Sequence, residues 1–419
     1  MKLFKFQKRG YKELYDILYE NRVALEASGV GYGKTVVACK VAKKLGYPVA
    51  VVCPKTIIPD WERTAEACGV KTIFITNPEM LKSNKFKYGK WAVKNRKYQW
   101  TLPDKCLLIW DEVHRCKNWK TQNAKVLVAT CRYNFRVLMM SATIATTPLD
   151  MYAVGMVLGL HDGSSDFFHW LHRHGVRRGT FGFEFRGGKE HLDKLNEALF
   201  PARGHRELPC DIPGFPKNQV SVMSIQTGRN SEIDKALENL NSIRKDDAPL
   251  PIVDQLRARQ TVELMKIPAI AELAEDYKQA GNSIAVFLNF KESIHQLAVK
   301  LNTPCLLTGD QTDDERAWNI DLFQSNSEPV IICQIQCGGV GVSLHDVNNK
   351  PRVALISPSY SAVDLVQALG RINRASAVSP AVQKILVAAG TIEENIRNKL
   401  EKKIDNLNAI LDSDLDFFS

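Results

Sequence analysis

Short apolar runs alternate with amphipathic stretches along most of the chain, and this alternation predicts strand–helix units that build parallel sheets. Five early runs have the length of buried strands: residues 23–28, 47–54, 72–77, 106–112 and 136–143. Five later runs have the same character: residues 282–290, 304–309, 329–336, 352–358 and 383–388. Helical patterns separate many of these runs, as over residues 36–45, 291–301 and 314–324. The chain is therefore predicted to form two successive α/β domains.

The region between the two series has a different composition. Residues 161–260 are richer in Gly, Pro and polar side chains, and helical patterns cover 230–245 and 254–280. A last helix is predicted over residues 391–411. We place the domain boundary near residue 206, which predicts domains over 1–205 and 206–419, the second with a helical interlobe segment over 206–280.

Length and composition narrow the class of protein. A chain of 419 residues with 45% hydrophobic and 24% charged side chains is typical of a soluble globular protein, not of a disordered or fibrous one. No apolar run approaches the roughly 18 residues of a membrane-spanning helix. Ten cysteines without a C-x-x-C pair, and no signal peptide before Phe4, predict reduced thiols in the cytoplasm, or in the host cytoplasm for a viral protein. The histidines at 169, 172 and 174 lack the ligand spacing of a structural zinc site, so we expect no zinc.

The charge is concentrated in the first third of the chain. Residues 1–150 carry 27 basic and 12 acidic side chains, whereas residues 151–419 carry 29 and 34. The overall charge of +10 is thus an excess that belongs to the first domain, and it is compatible with a polyanionic partner.

A glycine-rich segment directly follows the first predicted strand and precedes a helical pattern. The segment reads SGVGYGKT over residues 28–35, and its context is that of a phosphate-binding loop. Gly29, Gly31 and Gly33 allow backbone N–H groups to point at phosphate, Lys34 neutralises the β- and γ-oxygens, and Thr35 is a candidate Mg²⁺ ligand. Ser28 stands where the strict pattern has Gly. Taken alone, the segment is also compatible with a glycine-rich turn that contains an incidental lysine.

A second segment supplies carboxylates. The buried strand LLIW ends in Asp111 and Glu112, and the sequence continues to His114. We assign Asp111 to the metal ion and Glu112 to activation of water, since a nucleoside triphosphatase needs both groups at a strand end. Two acids that merely cap a loop are the alternative. No nicotinamide-type G-x-G-x-x-G is present, so the predicted ligand is a nucleoside triphosphate.

Two arginines stand three residues apart in the second domain. Arg371 and Arg374 lie in the segment QALGRINR, and we predict that they share one helical face. A guanidinium stays charged and donates bidentately to phosphate oxygens, which suits a γ-phosphoryl transition state. Structural salt bridges are the alternative for this pair. Upstream, GGVGVSL over 338–344 follows a strand and is compatible with a loop that contacts phosphate or backbone.

The order of these motifs resembles that of the helicase superfamily 2 nucleoside triphosphatases. Phe6-Gln7 resembles the adenine-reading glutamine, and SGVGYGKT, DEVH, Ser141-Ala142-Thr143, GGVGVSL and QALGRINR resemble motifs I, II, III, V and VI. The narrower resemblance is to the Swi/Snf-like branch of double-stranded DNA translocases, through CPKTIIPDW over 53–61 and DEVHRCKNWK over 111–120. One departure is QALGRINR, since that branch usually has QA-x-DR-x-HR there. The compact length suggests a minimal viral or bacterial member.

The resemblance implies two tandem RecA-like domains with parallel sheets and an ATP and DNA cleft between them, with ATP and Mg²⁺ as cofactors. It implies catalytic roles for Lys34, Asp111, Glu112, Gln367, Arg371 and Arg374. It implies nucleotide binding by Gln7, Gly29, Gly31, Gly33, Lys34, Thr35 and Asp111, with Thr35 and Asp111 on the metal and Ser141 and Thr143 as coupling residues. It implies nucleic-acid contacts at Pro54, Lys55, Thr76, Asn77, Gly339, Gly341 and Ser343.

A basic and aromatic segment of the first domain is a further candidate surface. Seven basic side chains lie over residues 82–97, aromatic residues lie among them, and no acid occurs between Glu79 and Asp104. We interpret 82–104 as a basic insertion in which lysines meet phosphates and aromatic rings stack on bases. Its candidate ligands are Lys85, Lys87, Lys90, Trp91 and Lys94. The alternative is a solvated hairpin whose aromatic side chains pack on the domain.

The leading hypothesis is an ATP-dependent DNA translocase or helicase that remodels forks, branches or bound proteins. DNA of little sequence preference, duplex or branched, is the expected partner, because contacts to the backbone carry no sequence information. A processive strand-separating helicase, an RNA helicase and a nucleotide-gated binding module with a vestigial ATPase are the alternatives.

Overall fold

The chain forms two compact units, and each is described by itself. The computed structural model describes residues 1–83, 85–92, 97–180, 182–226, 252–338 and 342–411. Unit 1 comprises Met1–Phe215 and, from the last helix, the residues from Lys403 onward. Unit 2 runs from Pro216 to Lys402.

Unit 1 contains ten strands and eight α-helices within the described residues. The strands are β1 (Val23–Glu26), β2 (Val49–Val52), β3 (Thr72–Thr76), β4 (Gly89–Trp91), β5 (Tyr98–Trp100), β6 (Leu107–Asp111), β7 (Arg136–Met140), β8 (Val176–Gly179), β9 (Gly182–Phe185) and β10 (Gly204–His205). The helices are α1 (Gln7–Asn21), α2 (Lys34–Leu45), α3 (Ile58–Cys68), α4 (Pro78–Leu81), α5 (Gln122–Val128), α6 (Tyr152–Val157), α7 (Ser164–Arg173) and α8 (Lys189–Leu199).

Six of these strands form one sheet in the order β10-β1-β7-β6-β2-β3, and every neighbouring pair is parallel. Its strands are buried on both faces, because alternate residues belong to different cores. In β6, Leu108 and Trp110 face one core, whereas Leu107 and Ile109 face the other. This double burial explains the continuous apolar runs of the sequence. Since all six strands run in one direction, the segments that follow β1, β2, β6 and β7 meet at the same edge of the sheet.

Two antiparallel hairpins stand apart from this sheet. β4 pairs with β5, and β8 pairs with β9. Both lie in long connections between elements of unit 1, and both carry exposed basic side chains.

Unit 2 repeats the parallel architecture. Its strands are β11 (Asn218–Ile225), β12 (Ser283–Leu288), β13 (Leu306–Leu307), β14 (Val330–Gln334), β15 (Arg352–Ile356) and β16 (Ala381–Ala388), in the order β11-β16-β15-β12-β14-β13. Its helices are α9 (Ile252–Gln279), α10 (Lys291–Leu301), α11 (Asp313–Gln324), α12 (Ile335–Gly338) and α13 (Ala362–Leu369), and α14 (Ile392–Leu411) begins in this unit. The residues of α14 beyond Lys403 pack in unit 1, where Leu407 and Ile410 join the core.

The prediction of two α/β domains with parallel sheets is confirmed, and each of the ten predicted strand runs contains or overlaps an observed strand. The edge strands β10 and β11 were not predicted, because neither is a continuous apolar run. The helix predicted over 230–245 lies outside the described residues. No helix in the described ranges is both long and apolar enough to cross a membrane.

Candidate functional site

The glycine-rich segment forms the turn between β1 and α2, at the carboxyl edge of the unit 1 sheet. Gly31 and Gly33 have φ angles of 82° and 85°, in the left-handed region that favours glycine. A Cβ at Gly29 would lie 2.7 Å from Pro209 Cδ, and a Cβ at Gly33 would lie 2.5 Å from Gln7 Nε2. Glycine is therefore needed at Gly31 for backbone conformation, at Gly29 for space and at Gly33 for both.

Lys34 and Thr35 open the helix that follows this turn. The Lys34 ammonium donates hydrogen bonds to the backbone carbonyls of Ser28, at 2.9 Å, and Gly29, at 3.0 Å. These acceptors are neutral, so a phosphate oxygen would compete with them well for the same cation. The half-buried Thr35 lies in the first turn of α2, where the positive end of the helix dipole favours an anion. The donor set fits a triphosphate.

Gln7 connects the N-terminal segment to the same turn. Its side chain is buried, its amide nitrogen donates to the Tyr32 carbonyl at 2.7 Å, and its amide oxygen accepts from Phe4 N–H at 3.0 Å. The residue expected to read adenine therefore also supports the phosphate-binding turn.

Asp111 ends β6 and is held on both carboxylate oxygens. One oxygen accepts from the Trp61 indole N–H at 2.9 Å, and the other accepts from the Glu112 backbone N–H at 2.9 Å. Burial and the adjacent Glu112 carboxylate raise the pKa of Asp111 to about 6, while the Trp61 hydrogen bond and the Lys34 charge oppose that rise. A cation beside this oriented, buried carboxylate would offset the cost of its desolvation. The position fits a divalent metal ion.

Glu112 follows in a left-handed backbone conformation, with φ 52° and ψ 48°. Non-glycine residues adopt this region uncommonly, and such residues concentrate at functional sites. The conformation turns the chain sharply at the end of β6, so consecutive carboxylates need not point the same way.

A chain of polar contacts leads from Glu112 to the end of β7. His114 Nδ1 lies 3.2 Å from Glu112 Oε2 and 3.0 Å from Ser141 Oγ. The Ser141 hydroxyl also accepts from Thr143 backbone N–H at 3.1 Å. Both predicted coupling residues, Ser141 and Thr143, are buried. His114 is thus the link between the two motifs.

Two features of this site were missed by the sequence reasoning. Trp61 was noted as part of the segment CPKTIIPDW, but its hydrogen bond to Asp111 was not foreseen, since 50 residues separate them. The second is a buried cluster around His205. Its Nδ1 lies 2.6 Å from Glu13 Oε2, and its Nε2 lies 3.6 Å from Glu207 Oε2.

Glu26 belongs to the same neighbourhood, because it pairs with His205 in the β1–β10 register. It is fully buried, and this burial raises its pKa. One of its oxygens accepts from Ser28 N–H at 2.8 Å, while Ser28 Oγ accepts from Glu207 N–H at 2.9 Å. The cluster therefore secures the start of the phosphate-binding turn. No local motif marks it, since its members come from separate parts of the sequence.

The residues implied to contact nucleic acid in unit 1 differ in their availability. Lys55 is exposed, whereas Pro54 and Thr76 are buried. Asn77 is the N-cap of α4, and its side-chain oxygen accepts from Met80 N–H at 2.9 Å. The side-chain oxygen of Asn77 is thus engaged in capping a helix, and its contact with nucleic acid stays a prediction.

In the basic insertion most of the described lysines face solvent, whereas the aromatic rings pack against the domain. Lys85, Lys87, Lys90 and Lys97 are exposed. Tyr98 and Trp100 are buried in the unit 1 core, and the Trp100 indole donates to the Val126 carbonyl at 3.2 Å. Phe86, Tyr88 and Trp91 pack against the same core. The interpretation that rings of this segment stack on bases does not hold for the buried Tyr98 and Trp100, whereas for the half-buried Trp91 it stays a prediction. Lys94 lies outside the described residues.

The arginine pair lies in unit 2, after α13 and not on it. This helix ends at Leu369, with Gly370 as its C-cap, so the prediction that Arg371 and Arg374 share a helical face is wrong. The two guanidinium groups nevertheless converge, since each donates to the Val342 carbonyl, at 3.1 and 3.0 Å. Through this shared acceptor, motif VI contacts Val342 of the segment GGVGVSL.

The other unit 2 candidates are known by their burial and contacts. Gln367 and Arg371 are buried, and Arg374 is half-buried. Ser343 is half-buried, and its carbonyl accepts from the Gln324 amide at 2.6 Å. Gly339 and Gly341 lie outside the described residues.

Comparisons with known proteins agree with this arrangement of motifs. The DEAD/DEAH box helicase family matches residues 40–151, and the helicase conserved C-terminal domain matches residues 265–376. A protein of Acanthamoeba polyphaga mimivirus, named "Putative ATP-dependent RNA helicase L364", is 32% identical over 99% of this chain and 84% of its own length.

Two eukaryotic relatives are more distant and longer. The Caenorhabditis elegans homolog of SWI/SNF-related matrix-associated actin-dependent regulator of chromatin subfamily A-like protein 1 is 23% identical over 98% of this chain and 62% of its own length. An Arabidopsis thaliana protein named "Probable ATP-dependent DNA helicase CHR12" is 22% identical over 96% of this chain and 41% of its own length. The chain belongs to helicase superfamily 2, as an ATP-hydrolysing helicase of the Swi/Snf type.

Proposed function

We propose that the protein is a Mg²⁺-dependent ATPase that translocates on DNA and remodels forks, branches or bound proteins. The observation that carries the ATPase chemistry is the placement of Lys34 and the pair Asp111-Glu112 at one edge of the unit 1 sheet. DNA as the partner is supported by relatives named as SWI/SNF-related and as a DNA helicase. The exposed lysines of the basic insertion supply charge for a phosphate backbone.

The chemistry follows from the residues present. The glycine turn and Lys34 would hold the β- and γ-phosphates, while Thr35 and Asp111 would hold Mg²⁺. When bound, the metal ion neutralises phosphate oxygens and supports departure of the leaving group. Glu112 orients and deprotonates the attacking water, and His114 holds the Glu112 carboxylate in place. Arg371 and Arg374 supply positive charge to the transferring phosphoryl group.

The contacts around His114 suggest how turnover and nucleic-acid binding are coupled. A change in the protonation or position of Glu112 alters its contact with His114, and through it the Ser141 hydroxyl. Ser141 in turn holds the backbone of Thr143. A movement at the reacting end of β6 would thus be transmitted to the segment after β7.

An RNA helicase is the second candidate function. The observation that favours it is the mimivirus relative, which is 32% identical to this chain and whose name specifies RNA. ATPase stimulation by matched single-stranded DNA, duplex, forked and four-way DNA, and RNA separates the two. We expect DNA to raise kcat about tenfold or more and RNA to have little effect. Stimulation by RNA alone would replace DNA by RNA in the proposal.

The basic insertion gives a separate prediction. Replacing Lys85, Lys87, Lys90 and Lys97 together by Gln should weaken DNA binding about tenfold or more at low salt and flatten the salt dependence of Kd, because fewer counterions are released. ATP hydrolysis without DNA should not change, since these side chains lie outside the glycine turn and the acid pair. Fluorescence anisotropy across a salt series measures the first effect and a coupled ATPase assay the second.

A matched variant controls for the loss of charge. Four other exposed lysines are suitable for the same substitution: Lys12, Lys71, Lys105 and Lys300. Lys71 directly precedes β3 and Lys105 stands two residues before β6, so both lie toward the opposite edge of the sheet from the nucleotide site. Equal weakening in both quadruple variants would mean that net charge, and not this insertion, governs binding.

A further inference from the structure

Two stacked aromatic rings stand exposed on unit 1. Phe168 of α7 and Phe183 of β9 are 44% and 45% exposed, with ring centroids 5.1 Å apart and planes 26° apart. Single exposed apolar residues are ordinary, but a paired and ordered aromatic surface marks a candidate contact. The proposed nucleotide chemistry assigns no role to either ring.

The register of the β8–β9 hairpin places an arginine beside this pair. Val176 pairs with Phe185, and Arg178 pairs with Phe183, so these four side chains share one face of the hairpin. Val176 is buried, and Phe185 packs against the core. The cross-strand pair Val176–Phe185, the inner rung, thus anchors the hairpin. The pair Arg178–Phe183, the outer rung, is presented to solvent.

The support beneath the rings is firm. Phe167, Trp170 and Leu171 bury the other face of α7 in the core, and Trp170 stacks on His174 with centroids 4.1 Å apart. The Arg177 guanidinium donates to the His172 carbonyl at 2.6 Å, which ties the hairpin to the end of α7. The aromatic pair is therefore a preorganised platform.

An exposed guanidinium, that of Arg178, stands on the same face of the hairpin as Phe183. Exposed basic side chains of this region are Arg173, Arg177, Arg178, Arg186 and Lys189. Two acids of this region are engaged, since Glu184 lies 2.9 Å from Arg186 and Glu190 lies 2.7 Å from His191. No carboxylate of the described ranges forms an ion pair with Arg178. A partner with flat apolar faces and negative charge suits this surface.

We propose that Phe168, Phe183 and Arg178 form a binding site for an unpaired nucleotide at a junction between duplex and single strand. An unpaired base offers a ring face for stacking, whereas both faces of a base inside a duplex are covered by its neighbours. Arg178 meets the adjacent phosphate. This inference rests on the proposed function and deepens it, because it places a junction contact within the first α/β unit.

The test uses forked DNA with 2-aminopurine as the first unpaired base, and the full chain. Stacking quenches the fluorescence of this base analogue. The F168A/F183A double variant should lose the quenching and bind the fork about tenfold more weakly, as expected from about 1–3 kcal/mol per stacked base. Binding to blunt duplex and ATP hydrolysis without DNA should not change. F183W should retain the quenching because it preserves a stacking face.

Two further variants keep the test decisive. Y19A removes an aromatic ring that is 66% exposed on α1 and should behave as wild type. F183S changes only the exposed outer rung and serves if the double variant does not fold, which thermal unfolding reports. Wild-type quenching that survives in F183S and in F168A/F183A would overturn the inference.

The outcomes separate this inference from the function on which it rests. If wild-type protein responds to duplex and fork alike, without quenching, the junction site is wrong and the DNA translocase remains. If neither DNA nor RNA binds or stimulates hydrolysis, the proposed function fails and the junction site with it. If the surface binds a protein while the quenching is absent, the aromatic pair is a protein contact.

Discussion

Replacing Lys34 by Ala should reduce ATP turnover at least about 100-fold, because the ammonium is the cation that the glycine turn presents to the β- and γ-phosphates. The fold should persist. The Lys34 ammonium donates to the Ser28 and Gly29 carbonyls, and the half-buried side chain stands at the start of α2, where Ala is compatible with the helix. A coupled ATPase assay measures the turnover, and thermal unfolding measures the fold.

K44A is the matched control for this variant. Lys44 lies on the same helix, is exposed, and contacts the Tyr15 ring at 5.4 Å from its centroid, far along α2 from the glycine turn. Its variant should hydrolyse ATP as wild type does. Retained hydrolysis in K34A would contradict the assignment of the nucleotide site. Loss of hydrolysis with full DNA remodelling would favour a nucleotide-gated binding module over a motor.

Replacing Glu112 by Gln should lower kcat about 100-fold to 1000-fold and leave nucleotide binding within about threefold of wild type. The amide keeps the shape of the side chain and its reach toward His114, but it does not accept the proton of the attacking water. Lys34, Thr35 and Asp111, which we assign to nucleotide and metal binding, are unchanged. A steady-state ATPase assay measures kcat, and titration with a fluorescent ATP analogue measures Kd.

E66Q offers the control, because Glu66 is an exposed acid on α3. It should change neither kcat nor Kd. A parallel loss of kcat and of nucleotide affinity in E112Q would indicate that Glu112 holds the metal ion or the fold instead of the water. The division of roles between Asp111 and Glu112 would then have to be revised.

The central strands were predictable because they are buried on both faces. β2 reads VAVV and β12 reads SIAVFL, and a run of this kind has few other stable placements in a soluble protein. The edge strands β10 and β11 escaped prediction, since they are shorter or mixed in polarity. These segments form strands because they pair with β1 and β16, and the local sequence does not reveal this pairing.

The linear motifs of the site were predictable for a different reason. The glycine turn places all its groups within eight residues, and Asp111 and Glu112 are adjacent, so local sequence carries their geometry. Trp61 and His205 act over distances in sequence that no motif covers. Their contacts with Asp111 and Glu13 exist only because parallel strands bring their connecting segments together.

The basic insertion shows where composition misleads. Lysine and aromatic residues interleave in sequence, and this pattern favoured a mixed surface of charge and stacking. In the fold the rings turn inward and the lysines outward, because burial of large aromatic side chains stabilises the hairpin against the core. The exposed stacking surface lies instead on Phe168 and Phe183.

The sequence by itself determined the two α/β units, the phosphate-binding turn, the acid pair and the arginines, because each is encoded in short continuous stretches whose periodicity or spacing reflects local geometry. The tertiary structure alone decided which side chains support these groups and which face the solvent. It also ended α13 before Arg371 and joined both arginines to the Val342 carbonyl. The physical reason is that burial and hydrogen bonding depend on neighbours brought together by strand pairing and packing, and these neighbours are distant along the chain.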